Sequence, residues 1–189
     1  MTVLRNATAP QRLVGAREQS MFASLALVVS LNSSAAVQFY YGTLTGSAES
    51  PPTASTGTGF ATVYIDVVAH QLYGDISFFG LSTPATAAHV HCCAAPPTNS
   101  LVAVSLPNIP SAASGSTQIF PLDLTSSATW SSAFVTAHGG TAAGAEAALA
   151  SGVAAGQAYV DIHTPVYPGG EIRAFLIVDE LFANGFDSH

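Results

Sequence analysis

The chain has 189 residues, 49% of them in the hydrophobic set and 8% charged, with a formal charge of −7 and no lysine. A partner held through its phosphates needs several cations on one face, so this balance argues against nucleic acid and against anionic membrane surfaces. Once an N-terminal leader is set aside, about 150 residues remain, enough for one domain that buries about two-thirds of its unfolded surface without a covalent staple.

Three of the four arginines, Arg5, Arg12 and Arg17, precede the apolar segment 21–31, and Ser34, Ala35 and Ala36 follow it. A charged stretch, a short apolar stretch and small residues make a secretory signal pattern. The apolar run is too short for a bilayer-spanning helix, which needs about 20 residues. Residues 1–36 are therefore expected to be a signal peptide cleaved near Ala36, with Met21 as an alternative start. The mature protein is then secreted, extracellular or periplasmic, with no membrane span, a folded domain at 37–180, a short tail at 181–189, and Arg173 as its single Lys or Arg.

Residues 37–45 alternate as a first strand, and a breaker-rich loop with Pro51 and Pro52 follows at 48–59. In 60–68, Val63, Ile65 and Val67 share one face and Thr62, Tyr64 and Asp66 the other, the pattern of a half-buried strand. Leu72, Gly74, Ile76 and Phe78 repeat the period after a hairpin turn at 69–71, which predicts antiparallel neighbours. The stretch 92–117 is rich in Pro, Ser and small residues and reads as a long loop with one strand at 101–106. Alanine-rich 141–155 predicts a helix with Thr141 as N-cap and Gly156 as stop, and a shorter helix is expected at 131–137. Two final strands, 158–164 and 171–178, are joined by a turn at Pro168, Gly169 and Gly170. Short strands with one or two short helices predict an all-β fold, a Greek-key sandwich or barrel.

The two cysteines, Cys92 and Cys93, are adjacent. Across a trans peptide their Cα atoms lie about 3.8 Å apart, closer than ordinary disulfides prefer. A vicinal disulfide, a reduced buried pair, an intermolecular bridge and thiolate ligation all stay open at this point, and no fold-defining bridge is expected.

On a strand, His89 and His91 project to one side, opposite Val90. His163 shares a side with Tyr159 and Asp161, while Val160 and Ile162 take the other. If the two strands are neighbours, three neutral imidazoles converge on one copper or zinc ion, with Cys92 or His138 as candidate fourth ligand and Asp161 orienting the rings. The competing reading has these rings bonding loop carbonyls or lying on a solvated face. His70, in a turn, and His189, at the terminus, are poor ligand candidates. Glu171 and Arg173 share a face of the last strand, and in so acidic a chain Arg173 should pair with Glu171, Asp161 or Glu49, giving a polar cluster of these four. An anion-binding or anion-steering role for Arg173 is the alternative. No Gly-x-Ser-x-Gly elbow, phosphate loop, dinucleotide fingerprint or calcium-loop spacing is present, so no catalytic residue is assigned.

The segments Ala88-His89-Val90-His91, Tyr159-Val160-Asp161-Ile162-His163-Thr164 and Pro168-Gly169-Gly170-Glu171-Ile172-Arg173 resemble, in this order, the core motifs of the chordin-type (CHRD) domain family. Residues 44–52 and Gly80-Leu81 resemble its opening strand and the segment before the first motif, so the likeness covers 37–178. Asp161 stands where the family often has Asn, Ala174 stands where Gly often follows, and the His-Cys-Cys continuation resembles an exported bacterial branch. The resemblance implies an immunoglobulin-like β-barrel or sandwich of extracellular proteins, without a settled enzymatic activity. It points to a secreted or cell-surface binding or structural module for an extracellular ligand or protein, with no cofactor assigned. The alternative is a copper or zinc metalloprotein with a cluster like that of copper-zinc superoxide dismutase, whose barrel also carries a His-Val-His.

Overall fold

Side chains that alternate between apolar and polar need a sheet with one dry face, and residues 37–178, those that the computed structural model of the protein describes, form one. The expected signal segment 1–36, the last two residues of the expected domain and the whole expected tail 181–189 lie outside the described residues. Nine strands run in chain order as β1 (Gln38–Thr45), β2 (Thr58–Asp66), β3 (Gln71–Phe79), β4 (Ala87–Cys92), β5 (Leu101–Ser105), β6 (Gly115–Asp123), β7 (Ala158–His163), β8 (Ile172–Phe175) and β9 (Ile177–Val178). Two short helices, α1 (Ser132–Ala137) and α2 (Ala142–Ala154), lie between β6 and β7. The all-β class expected from the sequence is borne out.

The strands join in one antiparallel sheet of order β5-β4-β7-β8-β1-β2-β3-β6, with β9 paired to β1. Strand β1 connects the two halves: it pairs with β2 along its whole length, while Thr45 pairs with Arg173 of β8 and Tyr40 and Tyr41 pair with β9. Strands two places apart meet across the interior, since a Cβ added at Gly59 of β2 would lie 3.4 Å from Ile172 Cδ1 of β8. The sheet is therefore curled around its apolar face.

Ala61, Val63 and Ile65 of β2 and Leu72, Ile76 and Phe78 of β3 are buried, as the alternation requires. Val67, expected on the same face, is exposed, because β2 ends at Asp66 and the Asp66 carboxylate accepts hydrogen bonds from the Val68 and Ala69 N–H groups in the turn. Strand β6 occupies part of what read as loop and connection. It pairs with β3 at the edge of the sheet and buries only Ile119, so its sequence carries little alternation. Pro121 within it has no N–H to donate, which an edge strand tolerates.

Helix α2 begins where its sequence says, with Thr141 Oγ1 accepting from the Gly144 N–H at 3.1 Å, and ends before Gly156, whose φ of +67° favours glycine. Its face of Ala145, Leu149 and Val153 is buried. Cys92 and Cys93 form a vicinal disulfide across a cis peptide with Cα atoms 3.1 Å apart, so the trans spacing assumed from sequence does not hold. Gly152 lets the helix approach this pair, because any Cβ there would collide with both sulfurs.

Glu171, just before β8, ties three loops to the sheet. Its carboxylate accepts from Ser55 Oγ at 2.6 Å, the Ser82 N–H at 2.6 Å, Ser82 Oγ at 2.7 Å and Thr164 Oγ1 at 2.5 Å. Burial raises its pKa, but the hydrogen bonds from Ser55, Thr164 and Ser82 outweigh that and hold it below the ordinary value. A carboxylate with a lowered folded pKa contributes stability above its unfolded pKa of about 4.3, and this is lost as pH falls through the lower folded value. Glu171→Gln should therefore cost about 2–3 kcal/mol at pH 7, since hydrogen bonds to a charged group are worth about 1.5–3 kcal/mol. Urea unfolding from pH 7 downward should show the gap between variant and wild type closing below about pH 4; a gap that does not change with pH would sink this account.

Candidate metal centre

Register decides which side chains meet. In the β4–β7 pair, Ala88 faces Ile162, Val90 faces Val160 and Cys92 faces Ala158, all on the core side. The intervening residues point the other way, so His89 faces Asp161, His91 faces Tyr159 and Ala87 faces His163. The next strand continues the row, with Asp161 opposite Arg173 and Tyr159 opposite Phe175. A His-x-His motif and a Tyr-x-Asp-x-His motif on adjacent antiparallel strands thus bring three imidazoles around one carboxylate.

His91 Nδ1 donates to the Ser100 carbonyl at 2.9 Å, and His163 Nδ1 donates to the Pro168 carbonyl at 3.0 Å. With the proton on Nδ1, each neutral ring turns the lone pair of Nε2 toward Asp161, whose Oδ2 lies 3.1 Å from both nitrogens. His89 presents Nδ1, 2.9 Å from His163 Nε2 and 3.6 Å from Asp161 Oδ1. One donor atom from each of His89, His91, His163 and Asp161 falls within 4.8 Å of all the others. Four ligands placed tetrahedrally at about 2.0–2.1 Å from a zinc ion would stand about 3.3 Å apart.

The electrostatics favour positive charge at this point. Burial raises the Asp161 pKa, but the three imidazoles beside it, His163, His89 and His91, outweigh that and hold the carboxyl far below the usual carboxylate range. Burial lowers the His163 pKa, yet its contact with Asp161 carries it above the ordinary histidine value. Two buried atoms of the cluster, His91 Nε2 and Asp161 Oδ1, have no hydrogen-bond partner among the described residues.

Arg173 lies behind Asp161 and is fully buried. Its Nε donates to the Ala48 carbonyl, Nη1 to Asn99 Oδ1 at 2.8 Å and Nη2 to the Pro97 carbonyl at 2.8 Å. The guanidinium stands over the rings of Tyr159 and Phe175, at 4.7 and 5.4 Å from their centroids, and Tyr159 stacks in turn on His91 at 4.6 Å. Its carboxylate partner is Glu49, with Oε2 3.7 Å from Nε. Burial and the charge of Asp161 push Glu49 up to about 7, and Arg173 opposes this.

Several expectations are corrected. Glu171 is not part of the Arg173 cluster, because its carboxylate is occupied by Ser55, Ser82 and Thr164. Arg173 is no surface cation for steering anions, being fully enclosed. Cys92 cannot be the fourth donor: its sulfur is bonded to Cys93 and lies on the core side of β4 near the Ala148 carbonyl. His138 packs on Phe134 at 4.3 Å, at the end of α1 and outside the cluster. The fourth donor atom belongs to Asp161, expected only to orient the rings. Its place two residues before His163 was the available signal, whereas nothing in sequence marks the Ser100 and Pro168 carbonyls. His70, in the β2–β3 turn, contacts both Glu146 oxygens at 2.9 Å.

A family model described as CHRD domain matches residues 40–176, a span that holds every residue of this cluster. Comparisons with curated proteins and with solved structures returned no match.

Replacing one member of a buried ion pair leaves the other charge uncompensated, at a cost of about 3–5 kcal/mol. Arg173→Lys keeps the charge but loses the planar fork that reaches Ala48, Pro97 and Asn99 together. We expect it to destabilise the fold by about 2–3 kcal/mol in thermal or denaturant unfolding through the lost charged hydrogen bonds, and a loss within experimental error would show that the guanidinium does not organise these loops.

Proposed function

This chain belongs to the CHRD domain family, and we propose that it is an extracellular-type binding module whose β4–β7 face holds one copper or zinc ion through His89, His91, His163 and Asp161. The carrying observation is the pair of buried, unpartnered acceptors, His91 Nε2 and Asp161 Oδ1, inside a group of four converging donors. An unsatisfied buried polar atom costs about 1–3 kcal/mol. A divalent cation bound by all four groups supplies the missing partner to both.

The ligand set sorts the metals. Imidazole suits copper and zinc, while magnesium and calcium favour sites made wholly of oxygen. The Nδ1–H bonds to the Ser100 and Pro168 carbonyls resemble the outer-shell bonds that fix metal-ligating histidines. When bound, the ion would supply Lewis acidity or, for copper, one-electron chemistry; Tyr159, with Arg173 over its ring, stacks on His91 and holds that imidazole in place. A metal-free polar cluster is the competing reading. A proton shared between His89 and His163 satisfies that contact, and one on His91 Nε2 pairs it with Asp161 Oδ2 at 3.1 Å, yet Asp161 Oδ1 stays unpaired, so the geometry supports the metal reading better.

Secretion is part of the same proposal. No helix among the described residues is long and apolar enough to cross a membrane, and the pattern of residues 1–36 supports export. N-terminal sequencing of protein recovered from the cell exterior or periplasm should begin after Ala36; a chain retained inside the cell with residues 1–36 attached would remove this part.

The metal is tested by elemental analysis of the untagged protein, purified from an oxidising compartment. We expect near one copper or zinc per chain, and its loss in a His89→Ala, His163→Ala double variant. Metal at 1,000 times its Kd should stabilise the folded state by about 4 kcal/mol, visible as a raised Tm that the double variant lacks. A chain that stays empty and unshifted after incubation with either ion would overturn the proposal.

A further inference from the structure

Among the described residues, the buried side-chain atoms without a partner include four at this end of the sheet, Ser100 Oγ beside His91 and three carried by charged or ring side chains. Two, His91 Nε2 and Asp161 Oδ1, belong to the four-residue cluster, and a bound cation accounts for them. The third, Glu49 Oε1, does not. Glu49 is outside the group of converging donors, and its other oxygen faces Arg173. Its side chain is 5% exposed, so bulk water does not satisfy Oε1. Adding a metal ion to the cluster leaves this oxygen unexplained, and a buried carboxyl oxygen needs its own hydrogen-bonding partner.

The surroundings of Glu49 indicate where that partner comes from. A cleft of about 380 Å³ is lined by Glu49, Asn99, Tyr167, Pro168, Gly169 and Gly170 among others. One of these bonds the cluster directly, since the Pro168 carbonyl holds His163. Asn99 and Glu49 both bond Arg173, which stands opposite Asp161 in strand register. Glu49 is thus both a wall of an open cleft and a neighbour of the metal-binding group. A cluster closed on all sides would have no use for a polar, unpartnered atom at this boundary.

We infer that the ion keeps an exchangeable coordination position on the Glu49 side, occupied by solvent that hydrogen-bonds Glu49 Oε1 and replaceable by a small one-atom donor ligand arriving through the Asn99–Gly169 cleft. This rests on the metal reading and deepens it. Four protein ligands fill a tetrahedral zinc site, so the exchangeable position is a fifth one, which the tetragonal geometry favoured by copper(II) leaves room for. The side chain of Glu49 is then a positioning residue for whatever occupies that place, and the ligand class is small molecules or anions that bind through a single oxygen or nitrogen.

The test uses the full chain loaded with copper(II), with copper content measured in every sample and each readout expressed per bound copper. Solvent-proton relaxation reports water on the ion, and titration with azide reports exchange through the azide-to-copper charge-transfer band. Wild type should show an inner-sphere water contribution and a saturable azide band. Glu49→Leu removes the hydrogen-bonding oxygen and should lower the relaxivity at least twofold. Because that variant also strips Arg173 of its partner, Gly169→Trp provides an independent check: a Cβ at Gly169 meets nothing within 4 Å, so the indole can fill the cleft without moving the backbone. It should weaken azide binding at least tenfold. No copper in wild type would defeat the metal reading itself. Copper bound with outer-sphere relaxivity and no azide band would mean a closed site, and an azide affinity unchanged by Gly169→Trp would rule out the cleft as the route; either result overturns the inference.

Discussion

A charged carboxylate in the middle of a β-sheet must be surrounded by donors or cations, and most of what is distinctive in this chain follows from how Asp161 meets that demand. Moving a carboxylate from water into the protein interior costs several kcal/mol even after relaxation. Asp161 sits on β7, an inner strand with β4 on one side and β8 on the other, so its neighbours are set by register. On one side the register delivers His89; on the other it delivers Arg173. His91 and His163 complete the surround, because alternation places them on the same face.

The compensating groups need support of their own. Arg173 is fully buried, and three N–H donors of its guanidinium reach Ala48, Pro97 and Asn99, which lie in two loops far apart in sequence. Arg173, opposite Asp161 in register and paired with Glu49, therefore draws the 46–57 and 93–100 loops against this end of the β4–β7–β8 face. The second of these loops carries Ser100, whose carbonyl fixes the tautomer of His91. Tyr159 lies between Arg173 and His91, stacked on both, and links the cation to the imidazole by ring contacts. Glu171 holds the neighbouring loops by a separate set of bonds.

The opposite face of the same strands does the ordinary work of a core. Ala88, Val90, Val160 and Ile162 pack inward, and α2 covers Cys92 and Cys93 through Gly152. This division explains why Cys92, one residue from His91, takes no part in the cluster: the strand period of two turns it to the dry side, and the disulfide keeps Cys93 with it. It also leaves the cluster on the face away from the apolar core, joined through the Pro168 carbonyl to the wall of the Glu49 cleft.

By itself the sequence determined the strand periods, both helices with the Thr141 cap and the Gly156 stop, the all-β class, and the histidines that share a face of each strand. These are local properties, set by alternation, capping and backbone preference. It could not reveal β6, whose edge position requires little apolar alternation, nor the end of β2 before Val67, which a side-chain hydrogen bond in the turn decides. It also could not say which carboxylate answers Arg173 or that Asp161 joins the rings, because three carboxylates were equally eligible until the β4–β7–β8 register was known. Tertiary structure made that choice: pairing across strands brings together residues more than 70 positions apart, and the carbonyls of Ser100 and Pro168 gain their roles only from where the loops come to rest.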